Sequence, residues 1–399
     1  MSKKYKIALG TDAFYPNIDG ICSTVMNYAT YLNKNHCDAT VVTPKNPHAE
    51  KDNYDFEVYR YKSLPIPNKD KYPIGWPFKE KFRNDLKSKK FDLLHSHCPL
   101  ASSYFFRLVK RIYDVPVVLT YHTKYEYDIM ERVHVKYLSD FAKRFLRNNI
   151  YAADEVWVPS EGTAESLRKF GYGGSYRVMP NGVDMARGAA PKEETDKLKA
   201  KYNIKSDIPV FIFVGRIMWY KNLKIVLESL KNLKDEGIEF KTLMVGGGKN
   251  FSQIKKYAKK LGLENDVIFT GVITDRNEIK TYFSAADLLL FPSTFDTNGL
   301  VVREAAACSV PSLLIENSCA AEGIEDSETG FLCEENTESF SAKLKEIISD
   351  RELMKKVGEN ASEKIYLSWE DAVANAYDRY TEIIEEYQKH KKINGQNTD

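Results

Sequence analysis

The segment FDTNGLVVREAAAC, residues 295–308, carries two carboxylates, Asp296 and Glu304, around an Asn-Gly turn. It follows the apolar run DLLLFPS, so a strand is predicted to end before Asp296 and a helix to begin near Gly299 or Leu300. Free N–H groups and the positive dipole end of such a helix make a seat for a phosphate. Gly299 allows close backbone approach and Asp296 can accept hydrogen bonds from hydroxyls. Glu304, roughly one and a half turns into the helix, is placed to reach a ribose. The plain structural reading is a strand-to-helix turn with two solvated acids.

A second element shifts that balance. In VGRIMWYKN, residues 214–222, Gly215 and Arg216 stand at a strand end and Lys221 follows before the helix NLKIVLESL. Two cations on one strand-to-helix loop can clamp a diphosphate, the arginine as a planar fork and the lysine as a point charge. A third element, FYPNIDGICS at residues 14–23, places Gly20 where backbone N–H groups can approach an anion, with Asp19 beside it in opposition. The G-x-G-x-x-G fingerprint of dinucleotide enzymes is absent here.

LLHSHCP and LTYHTKYE put His95, His97 and His122 at successive strand ends. No third ligand recurs at metal spacing, so no metal is expected; one of the first two histidines is expected to pack inward while the other lines a pocket. His122 is the functional candidate, able to donate to a substrate hydroxyl or line a reacting centre, against the alternative of a satisfied turn histidine. VMPNGVD and MVGGGKN are tight turns whose glycines serve structure or binding.

The elements that must position these residues are short apolar runs alternating with helical patterns. They are YKIALGTD, DATVVTP, FDLLHSH, VPVVLTYH, EVWVPS and YRVMPN, then PVFIFVGR, KTLMVGG, DVIFTG, DLLLFPS, PSLLIEN and TGFLCEE. Such a series predicts parallel sheets covered on both faces, hence two doubly wound α/β domains, 1–190 and 191–368, and a last helix over 369–391. In open α/β sheets ligands bind beyond the carboxyl ends of the strands, where all the candidates lie.

Composition sets the outer bounds. At 399 residues, 43% hydrophobic and 29% charged, the chain reads as a globular protein of two domains, with no apolar run near the length of a membrane span. The amino terminus enters a strand without a secretory signal, which predicts a cytoplasmic protein. The six cysteines are scattered and are expected to be free thiols. The net charge of +2 conceals a basic first half and an acidic remainder, and the basic half points to anionic partners.

In their joint order these residues resemble the retaining glycosyltransferases of GT-B fold, family four. The resemblance rests on F-Y-P-x-x-D-G, H-S-H-x-P, the position of His122, P-S-E-G, P-N-G-V-D, G-R-x-x-x-x-K-N, V-G-x-G and the two acids Asp296 and Glu304 before A-A-A-C-S-V-P. It implies two Rossmann-like domains facing a cleft, the second holding a nucleotide sugar, the first an acceptor, with the terminal helix returning to the first. Arg216 and Lys221 would bind the donor diphosphate and Glu304 the ribose. Gly215 and the loop Asp296, Thr297, Asn298, Gly299 and Leu300 would complete the donor site. Gly20 would approach the diphosphate and His122 the transferring sugar. No metal or other cofactor is implied, because cations and a helix end offset the leaving charge. The acceptor hydroxyl would attack on the face the diphosphate leaves, with no protein nucleophile and no base assigned; the catalytic set is His122, Arg216, Lys221 and Asp296. Two departures stand out: Asp296 replaces the usual glutamate, and Asp19 precedes Gly20.

The acceptor is read from the basic half. VKYLSDFAKRFLRNN, residues 135–149, sets Tyr137, Leu138, Phe141, Ala142, Phe145 and Leu146 on one stripe amid Lys136, Lys143, Arg144 and Arg147, and KEKFRNDLKSKK adds cations. A basic amphipathic helix can lie in an anionic membrane interface, or simply pack on its sheet. Bacterial transferases that glycosylate diacylglycerol resemble this chain here, so the expected reaction is transfer of a hexose, glucose from UDP-glucose, to a lipid such as diacylglycerol by a peripheral membrane enzyme. The rival readings are a transferase with a soluble acceptor, a nucleotide-sugar epimerase and a non-catalytic sugar-nucleotide binder. Nucleic acid is not an expected partner, because the aromatics sit at core spacing rather than on a stacking platform.

Overall fold

The computed structural model describes residues 4–16, 19–46, 49, 52–64, 74–76, 84, 88–122, 136–296 and 298–396, without the side chains of 74, 112, 136–138 and 394–396. Thr297, the segment 123–135 and most of the basic run 79–90 therefore lie outside the described residues, as do the side chains of Lys136, Tyr137 and Leu138.

The chain divides into two compact units, one of residues 1–181 with 369–399 and one of residues 182–368. The division falls after Asn181 rather than after 190. Residues past Asn181 are held by the second unit: Val183 bridges Ser368, the Gly188 amide donates to the Ala307 carbonyl and the Ala190 amide to Ser284 Oγ.

The first unit holds strands β1 (Lys6–Gly10), β2 (Asp38–Pro44), β3 (Glu57–Tyr61), β6 (Leu93–Ser96), β7 (Val117–Thr120), β8 (Glu155–Val158) and β9 (Arg177–Val178), with a two-stranded antiparallel ribbon of β4 (Ser63–Leu64) and β5 (Ile74–Gly75). The main sheet runs β3-β2-β1-β6-β7-β8-β9, every pair parallel. Its described helices are α1 (Gly20–Asn35), α2 (Ala101–Tyr113), α3 (Lys136–Tyr151) and α4 (Glu161–Lys169). Central strands such as LLHS and VVLT are buried at every position, as a sheet covered on both faces requires.

In the second unit strands β10 (Val210–Val214), β11 (Lys241–Val245), β12 (Val267–Gly271), β13 (Leu288–Phe291), β14 (Ser312–Ile315) and β15 (Phe331–Cys333) form a parallel sheet in the order β12-β11-β10-β13-β14-β15. Helices α5 (Lys192–Lys201), α6 (Leu223–Asp235), α7 (Phe251–Lys260), α8 (Arg276–Ser284), α9 (Leu300–Ala307), α10 (Thr337–Ser349) and α11 (Arg351–Lys364) pack around it. Each sheet thus reverses its strand order once, between β1 and β6 in the first unit and between β10 and β13 in the second. Such reversals leave crevices at the carboxyl ends of the strands, where parallel α/β sheets take their ligands.

The last helix, α12 (Trp369–Gln396), belongs to the first unit. Its inward stripe of Trp369, Val373, Ala376, Tyr380 and Ile384 is buried, and each large apolar side chain so buried contributes roughly 1.5–3 kcal/mol. Tyr380 stacks on Trp157 at 5.2 Å, and Arg379 holds Glu155 by a fork of hydrogen bonds of 2.5–3.1 Å.

Candidate active site

The loops after β10 and β13 meet at the switch point of the second unit. Gly215, left-handed at φ +152°, ends β10, and the Gly246 backbone after β11 packs against its carbonyl so closely that a Cβ on Gly246 would lie 1.9 Å from that oxygen. Gly246 of MVGGGKN therefore serves strand-loop packing. Arg216 is exposed and makes no hydrogen bond or ion pair with the described residues. A turn of 3-10 helix, Trp219–Lys221, follows, and Asn222, left-handed at φ 55°, redirects the chain into α6. Asn222 Nδ2 donates to the Pro292 carbonyl at 3.1 Å and to Glu335 Oε1 at 2.6 Å, tying this loop to the end of β13.

That tie sets Lys221 against the acid loop. Its ammonium lies 2.5 Å from both carboxylate oxygens of Asp296, with only 9% of the lysine side chain and 27% of the aspartate exposed. The two residues, expected to act separately on phosphate and on sugar hydroxyls, form one ion pair. The rings of Tyr220 and Phe291 lie 5.5 and 5.8 Å from the same ammonium. Each carboxylate oxygen retains a lone pair for a hydroxyl while the lysine keeps a third N–H for an anion.

Helix α9 begins at Leu300, within the range expected, and Gly299 caps it without a side-chain hydrogen bond; the Val302 amide donates to the Gly299 carbonyl at 2.8 Å, which leaves the Leu300 and Val301 amides of the first turn for an anion. Gly299 is left-handed at φ +54°, and a Cβ there would lie 2.9 Å from the backbone and side chain of Ala320. Gly299→Ala is therefore expected to destabilise the second unit by about 2 kcal/mol, from left-handed strain plus overpacking. A urea melt that leaves the midpoint of this unit unchanged would show that the turn relaxes freely. Asn298 Nδ2 is buried and without a hydrogen-bond partner among the described residues.

Glu304 is not a free acid. It accepts from Arg276 Nη2 at 2.6 Å, and Arg276 also donates to the Asp184 carbonyl. Arg276, the first residue of α8, escaped the sequence reading. Asp275 caps the amides of Asn277 and Glu278, a local signal that marks the helix start but not the arginine's partner.

In the first unit the residues after β1, β6 and β7 converge in the same way. Asp19 is the N-cap of α1, its Oδ1 accepting from the Cys22 amide at 2.8 Å. The acid beside Gly20 thus has a local structural cause: it satisfies the helix end. Gly20 is exposed, with open space where a side chain would stand. Asp12, after β1, accepts from the Ser102 amide and hydroxyl at 2.9 and 2.8 Å, and burial lifts its carboxyl to about 6.

Both His95 and His97 are buried, correcting the expectation that one would line a pocket. His95 joins Tyr380 OH at 2.5 Å and Thr120 Oγ1 at 2.7 Å, while His97 Nδ1 lies 3.0 Å from Nε2 of half-buried His122. Desolvation holds all three imidazoles neutral, His95 and His97 far below their ordinary value and His122 at about 4, the last against the pull of Asp19. Among the described residues no three His, Cys, Asp or Glu side chains gather as a metal site. The six cysteines are free thiols.

The stripe assigned to α3 divides. Leu146 and Ile150 are buried against the sheet with Phe145 beside them, the ordinary role of a Rossmann helix, whereas Phe141 is 65% and Tyr151 54% exposed. Arg107, Lys110, Arg111 and Tyr151 line an open cavity of about 680 Å³ near this helix. No helix among the described residues is long and apolar enough to cross a membrane.

Comparison with known proteins bears on the family and the fold. Residues 18–187 match glycosyltransferase family 4 and residues 194–364 match the group 1 glycosyl transferases. An alpha-monoglucosyldiacylglycerol synthase of Streptococcus pneumoniae is 25% identical over 385 residues, 95% of this chain and 86% of that protein. A synthase of the same name from Acholeplasma laidlawii is 23% identical over 84% of this chain and 86% of its own length. A sucrose-phosphate synthase of Thermosynechococcus elongatus superposes with a TM-score of 0.73 at 20% identity, over 96% of this chain and 100% of that one, which shows the shared GT-B fold. With one match on each half and the same fold throughout, the chain belongs to the group 1, family-four glycosyltransferases and resembles those that glycosylate diacylglycerol.

Proposed function

We propose that this glycosyltransferase moves glucose from UDP-glucose to diacylglycerol, with retention of anomeric configuration and without a metal. The observation that carries the donor half is the Lys221–Asp296 pair beside the open first turn of α9, at the switch point of the second unit. A cation and free amides there suit a diphosphate, and Arg216 adds a second charge on the same loop. Glu304, oriented by Arg276, takes the ribose, and the loop Asp296 to Leu300 takes the sugar. His122 of the first unit serves the transferring sugar and Gly20 the diphosphate.

The acceptor half is supported by the names of the two synthases and by the exposed Phe141 and Tyr151 with Arg107, Arg111 and Arg144, a surface suited to an anionic bilayer. The split stripe of α3 assigns only its outer residues to that surface. In this reading the enzyme works at the inner face of the cell membrane.

The test is a matrix of UDP-, GDP- and ADP-sugars against vesicles of diacylglycerol in anionic lipid and against soluble sugars and polyols, with the product anomer read by NMR. An α-glucolipid formed from UDP-glucose without added metal, and weakened at high salt, is the expected result. Glycosylation of soluble acceptors alone overturns the lipid assignment, and inversion at the anomeric carbon overturns the mechanism.

A further inference from the structure

The His97 side chain makes a single hydrogen-bonding contact, Nδ1 to His122 Nε2 at 3.0 Å, while its Nε2 is buried with no partner among the described residues. Its ring is fixed by packing, edge to face with Tyr28 at 5.1 Å and against His95 at 4.1 Å. Both imidazoles of the pair are neutral, since desolvation keeps them from charging, so each carries one N–H. Only one proton can occupy the contact between them, which leaves two arrangements.

If His122 donated from Nε2, His97 would carry its own proton on Nε2, a buried donor with nothing to receive it. If His97 donates from Nδ1, the orphaned atom is a bare acceptor and no N–H is stranded. Unpaired buried N–H groups are the rarer and costlier case. We infer that His97 is a positioning residue: it donates from Nδ1 to His122 Nε2 and thereby fixes His122 in the tautomer whose proton sits on Nδ1. His122 then presents a neutral N–H donor from the strand end, at the position proposed for the transferring sugar. A donor that does not ionise can hold a hydroxyl without competing for its proton. The consequence for catalysis rests on the proposed glycosyl transfer; the tautomer does not.

The experiment reads the two separately. In the full chain labelled with 15N-histidine, two-bond proton–nitrogen correlation at pH 7.5 assigns each ring's tautomer, with His122→Gln identifying the His122 signals. The expected result is a protonated Nδ1 on His122, kept in His97→Asn, whose side-chain amide can donate from the same place, and lost to the Nε2–H form in His97→Phe. A wild-type His122 protonated on Nε2 overturns the inference, whether or not any variant folds poorly. Turnover of UDP-glucose with diacylglycerol vesicles then tests the consequence: His97→Phe lowers kcat by roughly 10- to 100-fold, as for other outer residues that orient a working histidine. His97→Asn restores most of it. On a His122→Ala background the His97→Phe loss disappears, because His97 acts through His122. An undiminished loss on that background overturns the positioning role. Absence of transfer in the wild type with every donor and acceptor refutes the glycosyl reading and leaves the nitrogen spectrum to decide the tautomer.

Discussion

Lys221→Met is expected to lower kcat/KM by about 100- to 1,000-fold and to weaken UDP binding by at least about tenfold. The lysine supplies a desolvated positive charge in a pocket already shaped around it. Its side chain is 9% exposed, its ammonium touches both oxygens of Asp296, and Asn222 clamps the loop that carries it to the end of β13. Methionine fills the same volume and removes only the charge. The aspartate it leaves behind is mostly covered, so the second unit should also lose about 1–3 kcal/mol of stability, the range for stranding a polar group in a partly buried site. Adding Asp296→Asn removes the stranded charge. The double variant should recover most of the stability and none of the UDP affinity, which separates folding from function in one calorimetric series. Wild-type UDP affinity in Lys221→Met would remove the diphosphate from this loop altogether.

The same pair shows where the sequence stopped being legible. Both members were marked as functional from their types and from the strand-to-helix turns they sit on, but not as partners. Their contact depends on β10 and β13 lying side by side, an adjacency of 75 positions along the chain that no periodicity encodes. Arg276 and Glu304 meet for the same kind of reason, as do His97 and His122, whose strands β6 and β7 are neighbours in the sheet. Asp19 is a different case. An aspartate before a helix start is the ordinary N-cap signal, and its capping of the Cys22 amide could have been read locally.

The architecture was more accessible than the site because it rests on short-range patterns. Each of the twelve apolar runs became a strand of a parallel sheet, since a strand buried on both faces must be apolar throughout. The exception, β3 with sequence EVYRY, sits at a sheet edge, half-buried, and mixes charge with apolar residues. Edge strands tolerate that mixture, which is why the run was passed over. On α3 the sequence showed an apolar stripe but not which part of it faced the sheet, and the division between Leu146 inside and Phe141 outside is a tertiary fact.

Acidification should unfold the first unit well before the second. His95, His97 and His122 are held neutral by burial, the first two far below the ordinary value and His122 at about 4, whereas an unfolded histidine titrates near ~6.5. Between those limits the unfolded chain binds more protons than the folded one, so stability rises with pH; it is fully present above about 6.5 and lost as pH falls toward 4. Asp12 acts in the opposite sense. Its folded value of about 6 lies above the unfolded carboxylate range, so its protonation returns stability as pH falls through 6. From pH 7 to pH 5 His122, at about 4 in the folded unit against ~6.5 unfolded, costs about 2 kcal/mol, His95 and His97 add to that loss in the same direction, and Asp12 returns about 1 kcal/mol, so the first unit loses stability. The transition can be followed by the fluorescence of Trp157, which is buried 5.0 Å from the His95 ring within this unit. His97→Asn removes one titrating group from the cluster and should flatten the pH slope by about one proton while leaving the transition of the second unit in place. A Trp157 melt that does not move between pH 7 and pH 5 would mean that the cluster takes up protons without opening, and that the buried imidazoles are not the neutral, mutually oriented set on which the geometry of His122 depends.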